Sequence, residues 1–263
     1  MKRLIYQVYV GHRSKLYDTC IESVVAYCRK HKIDHKLQTE PILKIVPDLS
    51  RTGRSKEAVE RLGYLPIYEK ENAFSYIDQY DQIAIIDSDI YIKNNAPNIF
   101  NEIDSSSAFG AVVERDMPCS KKYRLKITKY STAAFANLKD VDWNWNSSGA
   151  EFFNMGMIVI NTKQLTPYLR NQTPREFLTR QEFKDFVDGI GYYKWSTDQM
   201  MLNWWLRKES IPVSKMNWRW NALYKGIEDN YLKDAHFVHF FLKDKLPNKG
   251  ENIKELLSTI QNY

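Results

Sequence analysis

Two carboxylates one residue apart close a short apolar run in Ile83-Ala84-Ile85-Ile86-Asp87-Ser88-Asp89. In an extended chain, side chains two residues apart point the same way. Asp87 and Asp89 therefore share a face, with no Lys or Arg beside them in the sequence, and they repel each other. A divalent cation removes that repulsion and supplies a reason to have both. A hard cation with oxygen ligands and open positions then binds a diphosphate. The competing account is a solvated turn with an Asp N-cap.

These carboxylates need a strand to carry them. Gln82–Asp87 is apolar without polar alternation, the pattern of a strand buried on both faces. Ligands of open α/β sheets sit beyond the carboxyl ends of such strands. Further strands are predicted at Leu4–Val10, Ile42–Val46, Ala108–Glu114, Phe152–Ile160 and Phe237–Phe241. Helices are predicted at Leu16–Arg29, Ser55–Leu62, Ala73–Tyr80, Ser196–Arg207 and Asn252–Gln261. This alternation argues an α/β fold with a central, mostly parallel sheet flanked by helices, in one domain over residues 1–263. Asp116–Trp145 stands apart: basic early (Lys121, Lys122, Arg124, Lys126, Lys129), it ends in Trp143 and Trp145 and reads as an insertion or lid over a site. Ser196 and Gln199 have capping-box spacing, which leaves Asp198 in a first helical turn where the helix dipole favours a carboxylate. His236 and His239 share the late strand with opposite side-chain parity.

Composition narrows the class. The chain has 263 residues with 43% apolar and 27% charged, a globular balance with enough material for a full core. A net charge of +6 suits an anionic ligand, or serves solubility alone. A nucleic-acid partner is not expected, since no compact basic stripe, zinc spacing or aromatic nucleic-acid motif is present. No apolar run approaches the ~18 residues that span a membrane, and Met1–Val10 is too short and interrupted for a signal peptide. Cys20, Cys28 and Cys119 form no CxxC pair and read as reduced thiols. A cytoplasmic location, or one peripheral to a membrane, is the expectation.

Five segments, taken together and in order, resemble the glycosyltransferases of the GT-A fold, and most of all family 8, which holds glycogenin and bacterial lipopolysaccharide galactosyl- and glucosyltransferases. They are Leu4–Val10 followed by Tyr17; Asp87-Ser88-Asp89; Phe153-Asn154-Met155-Gly156-Met157-Ile158-Val159-Ile160-Asn161; Ser196-Thr197-Asp198-Gln199-Met200-Met201-Leu202-Asn203; and His239-Phe240-Phe241-Leu242-Lys243-Asp244-Lys245. The third is similar to the family's FN-x-G segment and the fourth to its DQ-x-x-LN helix. The fifth departs from H-F-x-G-x-x-K followed by Pro-Trp: Leu242 stands where Gly is the rule, and Leu246-Pro247 replaces Pro-Trp.

The resemblance implies a Rossmann-like nucleotide-diphospho-sugar transferase that moves a sugar from a UDP-sugar to a carbohydrate-containing acceptor (glycan, lipid-linked or protein) with retention. It implies Mn²⁺ or Mg²⁺ on Asp87, Asp89 and His239. It puts the nucleotide against Val8, Tyr9, Val10, Tyr17 and the Asp87-Ser88-Asp89 turn, with Lys245, or Lys243 in its place, neutralising the diphosphate. The donor sugar falls to Lys70, Asn154, Gly156 and Asp198, and Asp198, Gln199 and Asn154 are the catalytic candidates near the anomeric carbon. Each has a plain structural account beside this one: Tyr17 as helix core, Lys70 as an exposed helical lysine, His239 as a core histidine, Gly156 as a bulge. Retention can proceed through a covalent intermediate or by same-face attack. Trp143, Trp145, Trp195, Trp218 and Trp220 offer faces for sugars or material for the core. The basic Lys121–Lys129 stretch faces an anionic acceptor or solvent. Two other functions fit the same carboxylates: an inactive nucleotide-sugar-binding relative, and a phosphohydrolase with an aspartyl nucleophile. The latter class usually carries its pair after the first strand and Thr or Val where Tyr91 stands.

Overall fold

The computed structural model describes residues 1–11, 14–54, 62–194, 196–241 and 246–261. Among the described residues nine strands run in chain order: β1 Arg3–Val8, β2 Asp34–Gln38, β3 Gln82–Ile86, β4 Ile90–Ile92, β5 Phe109–Val113, β6 Phe153–Asn161, β7 Val213–Met216, β8 Ala222–Leu223 and β9 Phe237–His239. Six of them form the main sheet in the order β2-β1-β3-β6-β5-β7. β1 pairs parallel with β2 and β3, and β5 pairs parallel with β7; β6 alone runs against its neighbours. The sheet is thus mostly parallel, with helices packed against it, as the alternation of elements demands.

Every residue of β3, β5 and β6 is buried, which is why these strands carry no polar alternation. The helix Lys15–His31 buries Leu16, Cys20, Val24, Tyr27 and Cys28 along one stripe. The three cysteines are buried and free. No helix among the described residues is long and apolar enough to cross a membrane.

Two predicted elements and one predicted cap differ. The second strand is Asp34–Gln38, and Ile42–Val46 is no strand. Glu69, distant in sequence and buried, accepts the amides of Ile42, Leu43 and Lys44, and Lys44 adopts a positive φ of 46°, so the segment's donors are taken and its backbone turned. Ala73–Tyr80 is not an α-helix; Pro66–Tyr76 forms 3₁₀ turns instead. Ser196 and Gln199 make no capping box, because the helix Asp198–Lys208 takes Thr197 as its N-cap and Gln199 bonds elsewhere. The predicted helix Ser55–Leu62 falls almost wholly outside the described residues.

The Asp116–Trp145 segment contains the helix Lys121–Phe135, capped by Ser120, whose hydroxyl accepts the Tyr123 amide. Trp143 at its end is core, donating to Leu138 O, whereas Trp145 is exposed. Trp220 is core too.

Candidate active site

The chain leaves β3 at Ile86, and the Asp87 amide donates to Gly156 O on the neighbouring strand at 2.8 Å. A turn follows, closed by Ile90 N to Asp87 O at 3.1 Å. The chain then enters the small sheet β4-β9-β8, where Ile90 pairs with His239 and the Phe240 amide donates to Asp89 O. Backbone pairing therefore straps the two-carboxylate turn to the strand that bears His239. His236, of opposite parity, packs its ring against Trp220 and stays away from the carboxylates.

His239 Nε2 lies 3.1 Å from Asp89 Oδ1 and 3.9 Å from Asp87 Oδ2. One ligand atom from each of the three residues lies within 4.8 Å of the others. Asp89 Oδ1 is buried with no hydrogen bond made to it, although the imidazole is beside it. A chain of bonds fixes which imidazole nitrogen faces the carboxylates. The Gly156 amide must donate, so Asn154 Oδ1 accepts; Asn221 Nδ2 donates to that same oxygen; Asn221 Oδ1 thus accepts from His239 Nδ1, at 3.0 Å. Nε2 is left toward the acids. Two carboxylates and one imidazole nitrogen, with an unsatisfied buried oxygen between them, fit Mn²⁺ or Mg²⁺ in ligand type.

The three groups shift one another's ionisation. Burial would lower the His239 pKa, but Asp89 and Asp87 raise it above the ordinary imidazole value. Burial raises Asp87 above the usual carboxylate range, against the pull of Lys70. Asp89 is held below that range despite burial, by His239.

Lys70 is not an exposed helical lysine. Its side chain is 15% exposed; Nζ sits 3.1 Å from Asp87 Oδ1 and 2.8 Å from Asp198 Oδ2, and donates to Met155 O. Burial disfavours its charge, yet Asp198 and Asp87 raise its pKa overall. Asp198 reaches this point because its helix is tied to the start of β6. Gln199 Oε1 accepts the Met155 amide, and Asn203 both accepts from Phe153 N and donates to Phe153 O.

Gly156 has a steric reason. A Cβ there would stand 2.3 Å from His239 Cε1 and 2.7 Å from Nδ1. Asn154 is held at both ends of its amide: Nδ2 donates to Glu114 Oε2, and Oδ1 accepts from Gly156 and Asn221.

Two cavities meet here. One of about 830 Å³ is lined by Val8, Tyr9, Val10, Tyr17, Asp87 and Ser88 among others. Tyr9 and Tyr17 meet edge to face in its wall, ring centroids 5.2 Å apart. The other, of about 410 Å³, is lined by Asn154, Gly156, Gln199, His239 and Glu114, with the helix Lys121–Phe135 along one side. Lys70, Asp87 and Asp198 line both. The residues drawn from the separate sequence segments are thus gathered at one place, except Lys245, which with Leu242 and Lys243 lies outside the described residues, as does Trp195.

Sequence reading passed over Glu114, Asn221, Tyr123 and Tyr130. Glu114 is buried, accepts from Asn154 and from the Tyr123 hydroxyl, and has its pKa raised by burial. Its signal was available: like Asp87, it is a carboxylate at the carboxyl end of a buried strand.

The profile of glycosyl transferase family 8 matches residues 12–245. No curated protein matches the sequence. Among solved structures, the galactosyltransferase LgtC in complex with donor and acceptor sugar analogues superposes with a TM-score of 0.54 at 14% identity, over 98% of this chain and 95% of that one. A glycosyltransferase involved in glycosylating the major capsid of PBCV-1 gives 0.51 at 15% identity, over 97% and 100%. Mouse xyloside xylosyltransferase 1 gives 0.50 at 12%, over 94% and 100%. The fold is that of the GT-A glycosyltransferases, and by the family match across most of its length the chain belongs to glycosyl transferase family 8 and is a glycosyltransferase.

Proposed function

We propose that the chain transfers a sugar, with retention, from a UDP-sugar to a carbohydrate-containing acceptor. The observation that carries this reading is the meeting of two cavities at Lys70, Asp87 and Asp198. The nucleotide occupies the larger one, its base near Tyr9 and Tyr17 and the backbone of Val8 and Val10, its diphosphate at Asp87-Ser88-Asp89. An aromatic contact to a base is worth about 1–3 kcal/mol. The donor sugar lies toward Asp198, Lys70 and Gly156.

Asp87, Asp89 and His239 would hold Mn²⁺ or Mg²⁺, which neutralises charge on the diphosphate when bound. In the transfer, an acceptor hydroxyl oxygen bonds to the anomeric carbon, the bond from that carbon to phosphate oxygen breaks, and UDP leaves with the electron pair. The hydroxyl proton passes to the departing phosphate in the same-face route. In the covalent route a protein group bonds to the anomeric carbon as UDP leaves, and the acceptor hydroxyl then displaces that group while giving its proton to the UDP phosphate. Asn154 is an unsuitable attacker because its amide oxygen already accepts two bonds; it serves as the post on which Gly156, Asn221 and Glu114 are aligned. Asp198 binds sugar hydroxyls, and Gln199 holds the Met155 amide beneath the sugar.

Calorimetric titration of UDP, with Mn²⁺ and then with EDTA, tests the donor site. Metal-dependent binding supports it. Binding with no turnover of any UDP-sugar points to an inactive relative. Absence of binding, together with phosphate release from a phosphomonoester, overturns it in favour of a phosphohydrolase.

A further inference from the structure

The helix Lys121–Phe135 carries five cations and no acid. Tyr123, Ile127 and Tyr130 stand at i, i+4 and i+7 and line the 410 Å³ cavity. Lys122, Lys126 and Lys129 have the same spacing one step around the helix. Lys126 joins the two stripes: it is exposed, and it lines the cavity beside Tyr123, Ile127 and Tyr130. Among the described residues, none of these three lysines forms an ion pair with a carboxylate.

The tyrosines are fixed. Tyr130 meets Phe135 and Phe152 ring to ring, with 37% of its surface open. Tyr123 meets Phe241 and donates its hydroxyl to Glu114. Rigid aromatic faces suit the apolar face of a sugar ring. An exposed lysine in the cavity wall, with no carboxylate partner among the described residues, suits a negative group on the same ligand.

We propose that the smaller cavity admits an acceptor glycan bearing an anionic group, a phosphate ester or a uronic carboxylate, which Lys126 contacts while Tyr130 supports the ring. This inference rests on the glycosyl-transfer reading of the same site. It goes further in assigning the chemical class of the acceptor.

The test is binding rather than turnover. With UDP and Mn²⁺ present, methyl glucoside, its 6-phosphate and methyl glucuronide are compared by ligand-observed NMR titration at low salt. At least one charged sugar binds about tenfold tighter than the neutral one, and its advantage shrinks to about twofold in Lys126→Glu and in high salt. Lys126→Arg keeps the advantage. Lys126 is exposed, so both variants fold, and UDP affinity stays at the wild-type value in each. A phosphate preference without a carboxylate preference, or the reverse, names the group. Equal binding of all three sugars, binding by none, or an advantage that survives Lys126→Glu overturns the proposal. Failure of UDP itself to bind the wild type counts instead against the donor site, so the two failures are distinct.

Discussion

Asn221 Oδ1 stands 3.0 Å from His239 Nδ1, and through this contact a residue that is not itself a ligand candidate sets the tautomer of the imidazole. The control begins at a backbone amide, Gly156 N–H, and runs through Asn154 to Asn221. Partners behind a ligating histidine are worth about 10–100-fold in metal affinity. Asn221→Leu should therefore weaken Mn²⁺-dependent UDP binding by about tenfold or more. Asn221→Asp keeps an acceptor for Nδ1 but loses the donor to Asn154 Oδ1, so it should recover only part of the loss. Calorimetry with Mn²⁺ and with EDTA checks both. An unchanged Mn²⁺ dependence in Asn221→Leu would disprove the control.

Gly156 predicts a steric result. The added methyl group of Gly156→Ala would meet the His239 ring at 2.3 Å, below any real contact. His239 is 5% exposed and packed, so the ring has little room to yield. Overpacking of this kind costs about 1–3 kcal/mol. The melting temperature should fall, and Mn²⁺ affinity should fall with it. Retention of both would mean that the ring moves freely, contrary to the packing described.

Lys70 joins two carboxylates that have different proposed tasks. Lys70→Met should leave Asp87 and Asp198 facing each other without compensation. A fully buried pair loses about 3–5 kcal/mol on removal of one partner. The expectation here is lower, about 1–3 kcal/mol, because a third of the Asp87 side chain is open to water and screens it. Urea unfolding measures this, and Lys70→Arg should restore most of it. Stability equal to wild type in Lys70→Met would show that the bridge contributes nothing.

The parts of the site that were legible are contiguous in the chain. Asp87 and Asp89 announce themselves by ending an apolar strand, and the helix bearing Asp198 and Gln199 by its apolar periodicity. What escaped depends on partners remote in sequence. Ile42–Val46 has the composition of a strand, and only Glu69 folding back onto its amides prevents one. Ser196 and Gln199 have capping-box spacing, but Gln199 is claimed by Met155 across 44 residues. Lys70 enters the site through the family resemblance alone, since by itself it looks like any surface lysine until β3 and the Asp198–Lys208 helix bring two acids to it. Asn221 occupies a two-strand link with no periodicity, and its role exists only through Asn154 and His239.

Asp198 separates recognition of the sugar from recognition of the nucleotide. Its side chain is 9% exposed and lies where the two cavities join, paired with the same Lys70 that meets Asp87. Its helix makes the first-turn carboxylate favourable, so it stays available as an acceptor for hydroxyl groups. Loss of a group that acts on the reacting sugar lowers the rate of transfer more than it lowers ground-state binding. Asp198→Asn, which preserves shape, should cut kcat with a UDP-sugar by about 100-fold. UDP affinity should remain within about twofold of wild type, since the diphosphate contacts proposed for the Asp87-Ser88-Asp89 turn are untouched. Asp89→Asn should do the opposite in order of severity, abolishing metal-dependent UDP binding first. Paired titrations of UDP and steady-state rates for the two variants give the comparison. Equal loss of binding and rate in Asp198→Asn would move this residue out of the sugar subsite and into the nucleotide site.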